Sequence, residues 1–392
     1  MRTEVYLTHG ARTPIGAFGG AFAEAPAQAL GSVAIRGALA KAAIATDQVD
    51  EVIFGNVLSA GLGQNVARQC SIGAGLGAHV GATTVNKVCG SGLKAVMLAA
   101  QAIQCGDAAL VVAGGTENMS RAPYLLDKAR AGYRLGDGKL IDAMIRDGLW
   151  DIYNDLHMGV CGDRCAERYR FTREQQDDFA VASYERALAA QTTGAFDREI
   201  VPVEVARGKA TIAVTADEEP PRFNEEKLRK LRPAFSPDGT VTPGNASSIN
   251  DGAAAIVVLS SDKVRSLGIA PAARILGYAT AAREPEWFTL APIGAITRLL
   301  DSLSLKVSDV DLFEINEAFS VVPMAAMAEL GIPHDKLNVL GGAVALGHPI
   351  GASGTRTLVT LMNAMQRTGA RIGVNVLCLG GGEAVAMAVE AV

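Results

Sequence analysis

The chain repeats itself, and that repeat constrains the fold more than any single motif. Gln48-Val49-Asp50-Glu51-Val52-Ile53-Phe54-Gly55-Asn56 resembles Asp309-Val310-Asp311-Leu312-Phe313-Glu314-Ile315-Asn316-Glu317, and Ser91-Gly92-Leu93-Lys94 resembles Ser353-Gly354-Thr355-Arg356. Each serine block opens a helix-like segment, then comes Gly106 or Gly369, then an apolar strand running into Gly114-Gly115-Thr116-Glu117 or Gly381-Gly382-Glu383. The offset stays at about 261 to 266 residues. Matches in one order at one offset mean a duplicated unit. A duplicated fold places its chemistry where the halves meet.

Each unit reads as α/β. Glu4–Thr8 is a β-rich run, Leu30–Ala43 has helical apolar spacing, and Glu51–Phe54 is a buried-type strand. Gly92–Gln104 is an apolar helix and Ala109–Ala113 a second buried strand. Such alternation with short connections gives a sheet that is parallel in part. The middle, from about Asn118 to Asn250, is more charged. It holds one strong helix, Arg173–Thr192, opened by the capping pattern Thr172-x-x-Gln175, and an acidic, proline-rich loop at Asp217–Pro221. The expected organisation is an N-terminal half over 1–118, completed by about 249–270, a loop domain over 119–248, and a C-terminal half over 271–392.

Composition excludes several classes. A length of 392 residues exceeds one small core, and 49% hydrophobic with 20% charged residues is not a disordered composition. A net charge of −5 without a basic run, and only 5% aromatics, speak against nucleic acid. No uninterrupted apolar stretch reaches about 18 residues, so no membrane span is expected. The start, MRTEVYLTHGARTP, reads as a first strand and not a leader, and AVAMAVEAV carries no targeting tail. Six scattered cysteines fit free thiols in a reducing compartment, so a cytoplasmic location is expected.

Four segments can carry chemistry. In Val85–Lys94 a strand runs into Cys89, a Gly-x-Gly turn and a helix. A cysteine at a helix N-terminus sits in positive potential, which favours thiolate. The same stretch also fits Gly90-x-Gly92-x-x-Ala95, a dinucleotide fingerprint, but its acidic partner is poorly placed, Glu117 coming late. His348, in a glycine-walled loop before a helix, is a base able to take a thiol proton. Cys378 precedes Gly380-Gly381-Gly382 by one residue, offering a thiol beside open N–H groups; taken alone it reads as a buried cysteine above a turn. Asn316, in Glu314-Ile315-Asn316-Glu317-Ala318-Phe319, either orients a water or polar group, or caps a helix. His157, Cys161 and Cys165 share a helical spacing, but three ligands in line do not surround one ion tetrahedrally, so no metal site is read there.

Together these segments resemble the thiolase family, and within it the acetyl-CoA acetyltransferases. The resemblance spans nearly the whole chain, through Ala11-Arg12-Thr13-Pro14-Ile15-Gly16, Gly55-Asn56-Val57-Leu58, Gly61-Leu62-Gly63-Gln64-Asn65, the Cys89 block, Ser120-Arg121-Ala122-Pro123, His157-Met158-Gly159, Gly244-Asn245-Ala246-Ser247, Asn316-Glu317-Ala318-Phe319, Gly347-His348-Pro349 and Cys378-Leu379-Gly380-Gly381-Gly382. It implies a five-layer αβαβα fold of two similar halves with an inserted loop domain that binds coenzyme A. It implies a homotetramer, a dimer of dimers, with 130–144 as the tetramerisation loop. The implied reaction is a reversible Claisen condensation of two acyl-CoA molecules without a cofactor. Cys89 would become acylated, His348 would take its proton, and Cys378 would exchange a proton with the α-carbon of the second acyl-CoA. One oxyanion hole would use His348 and a water on Asn316, the other the N–H groups of Cys89 and Gly380. His157, Met158, Phe235, Ala246, Ser247, Phe288, Ala318 and Phe319 would line the pantetheine and acyl pocket. Members often carry Met near Phe288 and glycine at Ser248; a bulky Phe288 either narrows the acyl pocket or is absorbed by local packing. Pro220–Lys227 matches the family poorly.

Overall fold

A computed structural model describes residues 3–392. Its main sheet contains β1 (Val5–Leu7), β2 (Glu51–Gly55), β3 (Gly81–Val85), β4 (Leu110–Asn118), β5 (Asn250–Ser260), β6 (Ala273–Ala282), β7 (Leu312–Ile315), β8 (Ile372–Leu379) and β9 (Glu383–Ala391). Their order is β7-β8-β9-β6-β1-β5-β4-β2-β3. β2 runs parallel to β3 and β4, and β7 parallel to β8. β5 and β9 are antiparallel to β4 and β8. The repeat is therefore visible as topology: β2-β4-β5-β1 is echoed by β7-β8-β9-β6. β1 bonds to both β5 and β6, so the two halves join edge to edge.

Helices α1 (Ala27–Lys41) and α2 (Val66–Gly73) cover the outer face of the N-terminal half. The helices α6 (Ala291–Leu303) and α7 (Val321–Leu330) cover the outer face of the C-terminal half. Between the two inner faces lie α3 (Ser91–Cys105) and α8 (Ser353–Thr368), in one apolar cluster with Ile256, Val258, Met387 and Val389. The layers thus run αβαβα. Val88–Cys105 is long and apolar enough to cross a membrane, but it is this central helix, buried on both sides by the sheets.

The middle segment has α4 (Met158–Tyr169) and α5 (Arg173–Thr192). The capping box of α5 forms as its local sequence dictates: the Thr172 hydroxyl accepts from the Gln175 N–H at 3.2 Å and Gln175 Oε1 accepts from the Thr172 N–H at 2.9 Å. The apolar side chains of this segment are shared with the halves. Cys161, Cys165 and Phe179 join the cluster under α6 and α7, while Ala187 and Phe196 pack on Ile15 and Leu346.

The acidic stretch at Asp217 is not a solvated loop. Its carboxylate takes a bidentate pair from Arg12, at 2.7 and 2.9 Å, and the Ile15 N–H at 2.8 Å. Arg12 Nε donates to Glu199 at 2.6 Å, and Glu199 also accepts from Thr360 and Asn363 of α8. All three charges are buried. Burial opposes the charge on Arg12, but the two carboxylates outweigh it and raise its pKa. The cluster ties the N-terminal strand, the middle segment and α8 at one point.

Candidate active site

The inner helices α3 and α8 meet end to end. A Cβ at Gly92 would lie 2.8 Å from the Thr355 nitrogen, and one at Gly354 would lie 2.2 Å from the Leu93 nitrogen. Only glycine lets the two helix starts come this close. Two N-termini then aim their free N–H groups and positive dipole ends at one place, which favours an anion there. Cys89 sits just before one start and His348 just before the other.

Cys89 rides on a tight turn. Val88 has φ +45°, an outlier for a β-branched residue. The turn is held by Gly90 N–H to Lys87 O at 3.1 Å and Ser91 N–H to Val88 O at 3.1 Å. His348 is held by its backbone N–H to Asn250 Oδ1 at 2.9 Å and by its ring Nδ1, 2.6 Å from Ser353 Oγ. Its Nε2 lies 3.4 Å from Asn316 Nδ2. Asn316 does not cap a helix, because α7 starts at Val321 with Ser320 before it. The buried Oδ1 of Asn316 has no partner among the described residues.

A cavity of about 370 Å³ opens at this point. Cys89, His348, His157, Met158, Phe235, Ala246, Ser247, Ala318 and Phe319 line it. His157 accepts the Gly159 N–H at 3.0 Å through Nδ1 and stacks on Phe235 at 4.6 Å. The Ser247 N–H donates to Ala318 O at 3.0 Å, which binds the two wall segments together. Cys378 and Asn316 are fully buried beside the cavity, Cys378 in the apolar cluster that also holds the wall residues Met158 and Phe319. The Gly380 N–H acts to lower the pKa of the Cys89 thiol. Phe288 does not line the cavity: it is buried behind Phe319, edge-on at 6.3 Å, so packing absorbs its bulk.

Sequence reasoning missed Phe18, Met119, Leu149, Glu219, Arg222, Ile249 and Ile350, which also line the cavity. Arg222 comes from the Pro220–Lys227 stretch that matches the family poorly, and Glu219 directly precedes it. Their only sequence signal is two opposite charges in a proline-flanked turn, and that alone does not mark a site. Two rival readings lose their residues. Gly92 is spent on the helix junction, and Glu117 accepts N–H groups from Val57, Leu58 and Gly351 and the Asn56 amide, so it anchors loops and is not free for a ribose. Cys161 and Cys165 face the apolar core, Cys165 Sγ lying 3.8 Å from Val321 O.

One electrostatic expectation is reversed. The helix start favours a thiolate at Cys89, yet burial pushes its thiol up to about 11, against the pull of the Gly380 and Cys89 N–H groups. Burial, reinforced by Arg356, lowers His348 to about 3. At neutral pH the free site therefore holds a neutral thiol and a neutral imidazole, not an ion pair. Thiolate grows as pH rises toward the thiol's pKa. Alkylation of Cys89 by iodoacetamide, followed on its own peptide by mass spectrometry, is expected to rise steadily from pH 6 to 9. A plateau of reactivity reaching down to pH 5 would mean an ion pair and would overturn this reading.

Comparison with known proteins agrees with this geometry. The family model for the thiolase N-terminal domain matches residues 5–262, and that for the thiolase C-terminal domain matches 269–391. The chain is 51% identical to an acetyl-CoA acetyltransferase of Schizosaccharomyces pombe over 394 residues, covering 100% of both chains. It is 53% identical to acetyl-CoA acetyltransferase 2 of Arabidopsis thaliana, over 99% of this chain and 97% of that one. A thiolase of Ascaris suum, solved in complex with coenzyme A, superposes with a TM-score of 0.94 at 43% identity, over 99% of this chain and 100% of that one. With two duplicated halves meeting at Cys89 and His348, and with both domain models matched along its length, the chain belongs to the thiolase family.

Proposed function

We propose that this acyltransferase condenses two acetyl-CoA reversibly to acetoacetyl-CoA and free CoA. The observation that carries the proposal is the meeting of two helix starts, with Cys89 and His348 in the wall of one cavity and Cys378 in the buried cluster that holds its wall residues Met158 and Phe319. In the first half-reaction the Cys89 sulfur attacks the thioester carbonyl and His348 Nε2 takes the thiol proton. The C–S bond to CoA breaks, and the CoA thiolate leaves with the proton of Cys378, while His348 keeps the proton it took. In the second, the Cys378 thiolate so formed takes a proton from the methyl carbon of another acetyl-CoA. The resulting carbanion attacks the acetyl group on Cys89, a carbon–carbon bond forms, and the Cys89 sulfur leaves and takes the proton held by His348, which restores both thiols and the imidazole. No electron is gained or lost, so the steps balance without a cofactor.

Local chemistry supports these roles. Burial holds the Cys378 thiol well above its ordinary pKa, so its thiolate is a strong carbon base and its thiol the proton donor in the reverse direction. The orphan Asn316 Oδ1 suits a water that would join His348 in one oxyanion hole, and the Gly380 and Cys89 N–H groups suit the other. Exposed Leu135 and Leu140 on the 130–144 segment, and the unpaired outer edge of β3, fit a tetramer, which light scattering would read. A cytoplasmic location goes with the same reading, and cell fractionation would test it.

The test is thiolysis of acetoacetyl-CoA and of 3-ketohexanoyl-CoA, each with free CoA. Cleavage of the short substrate alone supports acetyl specificity. Cleavage of both points to a broader degradative thiolase, and cleavage of neither by folded protein to a non-catalytic relative. In the same assay Cys378→Ala is expected to leave acetylation of Cys89 measurable while condensation falls by about 100-fold or more. Condensation near the wild-type rate would send the search to another base.

A further inference from the structure

We infer that Ser353, the first residue of α8, is a positioning residue that fixes the tautomer of His348 and thereby turns a bare Nε2 toward the Cys89 side of the site. The inference rests on the proposed acyl-transfer reading. Its ground is hydrogen-bond accounting. Ser353 Oγ lies 2.9 Å from the carbonyl of Pro349, a backbone acceptor that offers no proton. A hydroxyl has one hydrogen; with it on Pro349 O, which also accepts the Ala352 and Ser353 N–H groups at 2.9 Å, the oxygen accepts from His348 Nδ1, at 2.6 Å. A neutral imidazole has one N–H, which this bond places on Nδ1. Nε2 is left as the acceptor, and the donor that approaches it, Asn316 Nδ2 at 3.4 Å, agrees with a bare nitrogen. The other tautomer would set an N–H against that amide and leave no lone pair for the thiol proton.

The repeat supplies a second, independent observation. Ser91 is the equivalent first residue of α3, and it performs the same task for the nucleophile. Its Oγ donates to Val88 O at 2.6 Å and accepts the Lys87 N–H at 2.8 Å, clamping the turn in which Val88 sits at φ +45°. Both serines are fully buried. The equivalent helix-start hydroxyl thus bonds the base in one half and the turn before the nucleophile in the other.

The direct test uses wild-type protein labelled with 15N-histidine, with the His348 signals assigned from a His348→Asn sample. The expected spectrum has a protonated Nδ1 and a bare Nε2; a protonated Nε2 in the resting enzyme overturns the inference. Kinetics give the second test. Ser353→Ala is expected to slow acetylation of Cys89 by acetyl-CoA, and kcat of thiolysis with it, by about 10- to 100-fold through lost alignment. KM should stay within about threefold, and Ser353→Thr, which keeps the hydroxyl, should regain most of the rate. A folded Ser353→Ala enzyme acetylating within about threefold of wild type overturns the inference. Wild-type protein that is never acetylated on Cys89 would instead overturn the acyl-transfer reading. Should Ser353→Ala fail to fold, the wild-type spectrum still decides.

Discussion

Cys89→Ala is expected to lose thiolysis and condensation together, by about four orders of magnitude or more, the scale on which removal of a nucleophile is felt. The change removes only the sulfur. The Gly380 N–H, the turn at Val88 and the cavity wall stay in place, so binding of CoA should change little. Two measurements check this: ultraviolet loss of acetoacetyl-CoA, and intact mass after mixing with acetyl-CoA. The wild-type protein should gain one acetyl group and the variant none. An alanine variant that still transfers acetyl groups would end the assignment of Cys89. The paired result, retained CoA affinity with lost transfer, separates loss of chemistry from loss of fold.

Arg12→Ala is expected to be the most damaging single change to stability. The guanidinium holds two buried carboxylates, Glu199 at 2.6 Å and Asp217 at 2.7 Å, and lies 5.0 Å from the centre of the Phe196 ring. Its removal strands two buried negative charges. Breaking such a buried cluster costs about 3–5 kcal/mol. Lysine keeps the charge but not the planar fork that grips Asp217 through two nitrogens, so Arg12→Lys should fall between. Denaturant midpoints at fixed protein concentration would read the series. A loss below about 1 kcal/mol for Arg12→Ala would mean that the cluster is not held as a buried unit.

These two residues also show what a sequence reveals and what it hides. Cys89 and His348 were legible because each stands in a short signature, a strand or glycine loop running into a helix start. The helix α5 was legible because its capping box is contained in four residues. Arg12 was not legible as an anchor, since its partners lie 187 and 205 residues away along the chain. Asp217 does lie in a loop, but its burial against Arg12 is hidden for the same reason. The electrostatics of Cys89 were read with the wrong sign because the helix dipole is visible in a pattern and burial is not. The role of Phe288 is hidden because a side chain's size says nothing about whether it faces a cavity or stands behind its wall. The charged composition of the middle segment hides that its apolar residues complete cores begun in the two halves.

The strand β5 has a consequence for how the protein is made. It lies between β1 and β4 and pairs with both, yet the ribosome delivers it roughly 130 residues after β4. At typical elongation rates that delay is on the order of ten seconds. Throughout it, the nascent N-terminal half carries an open sheet edge along Leu110–Asn118 and an uncovered apolar face on α1 and α3. The newborn chain is thus open to wrong pairing until residue 260 has emerged, and its interval of greatest vulnerability is set by the order of its strands.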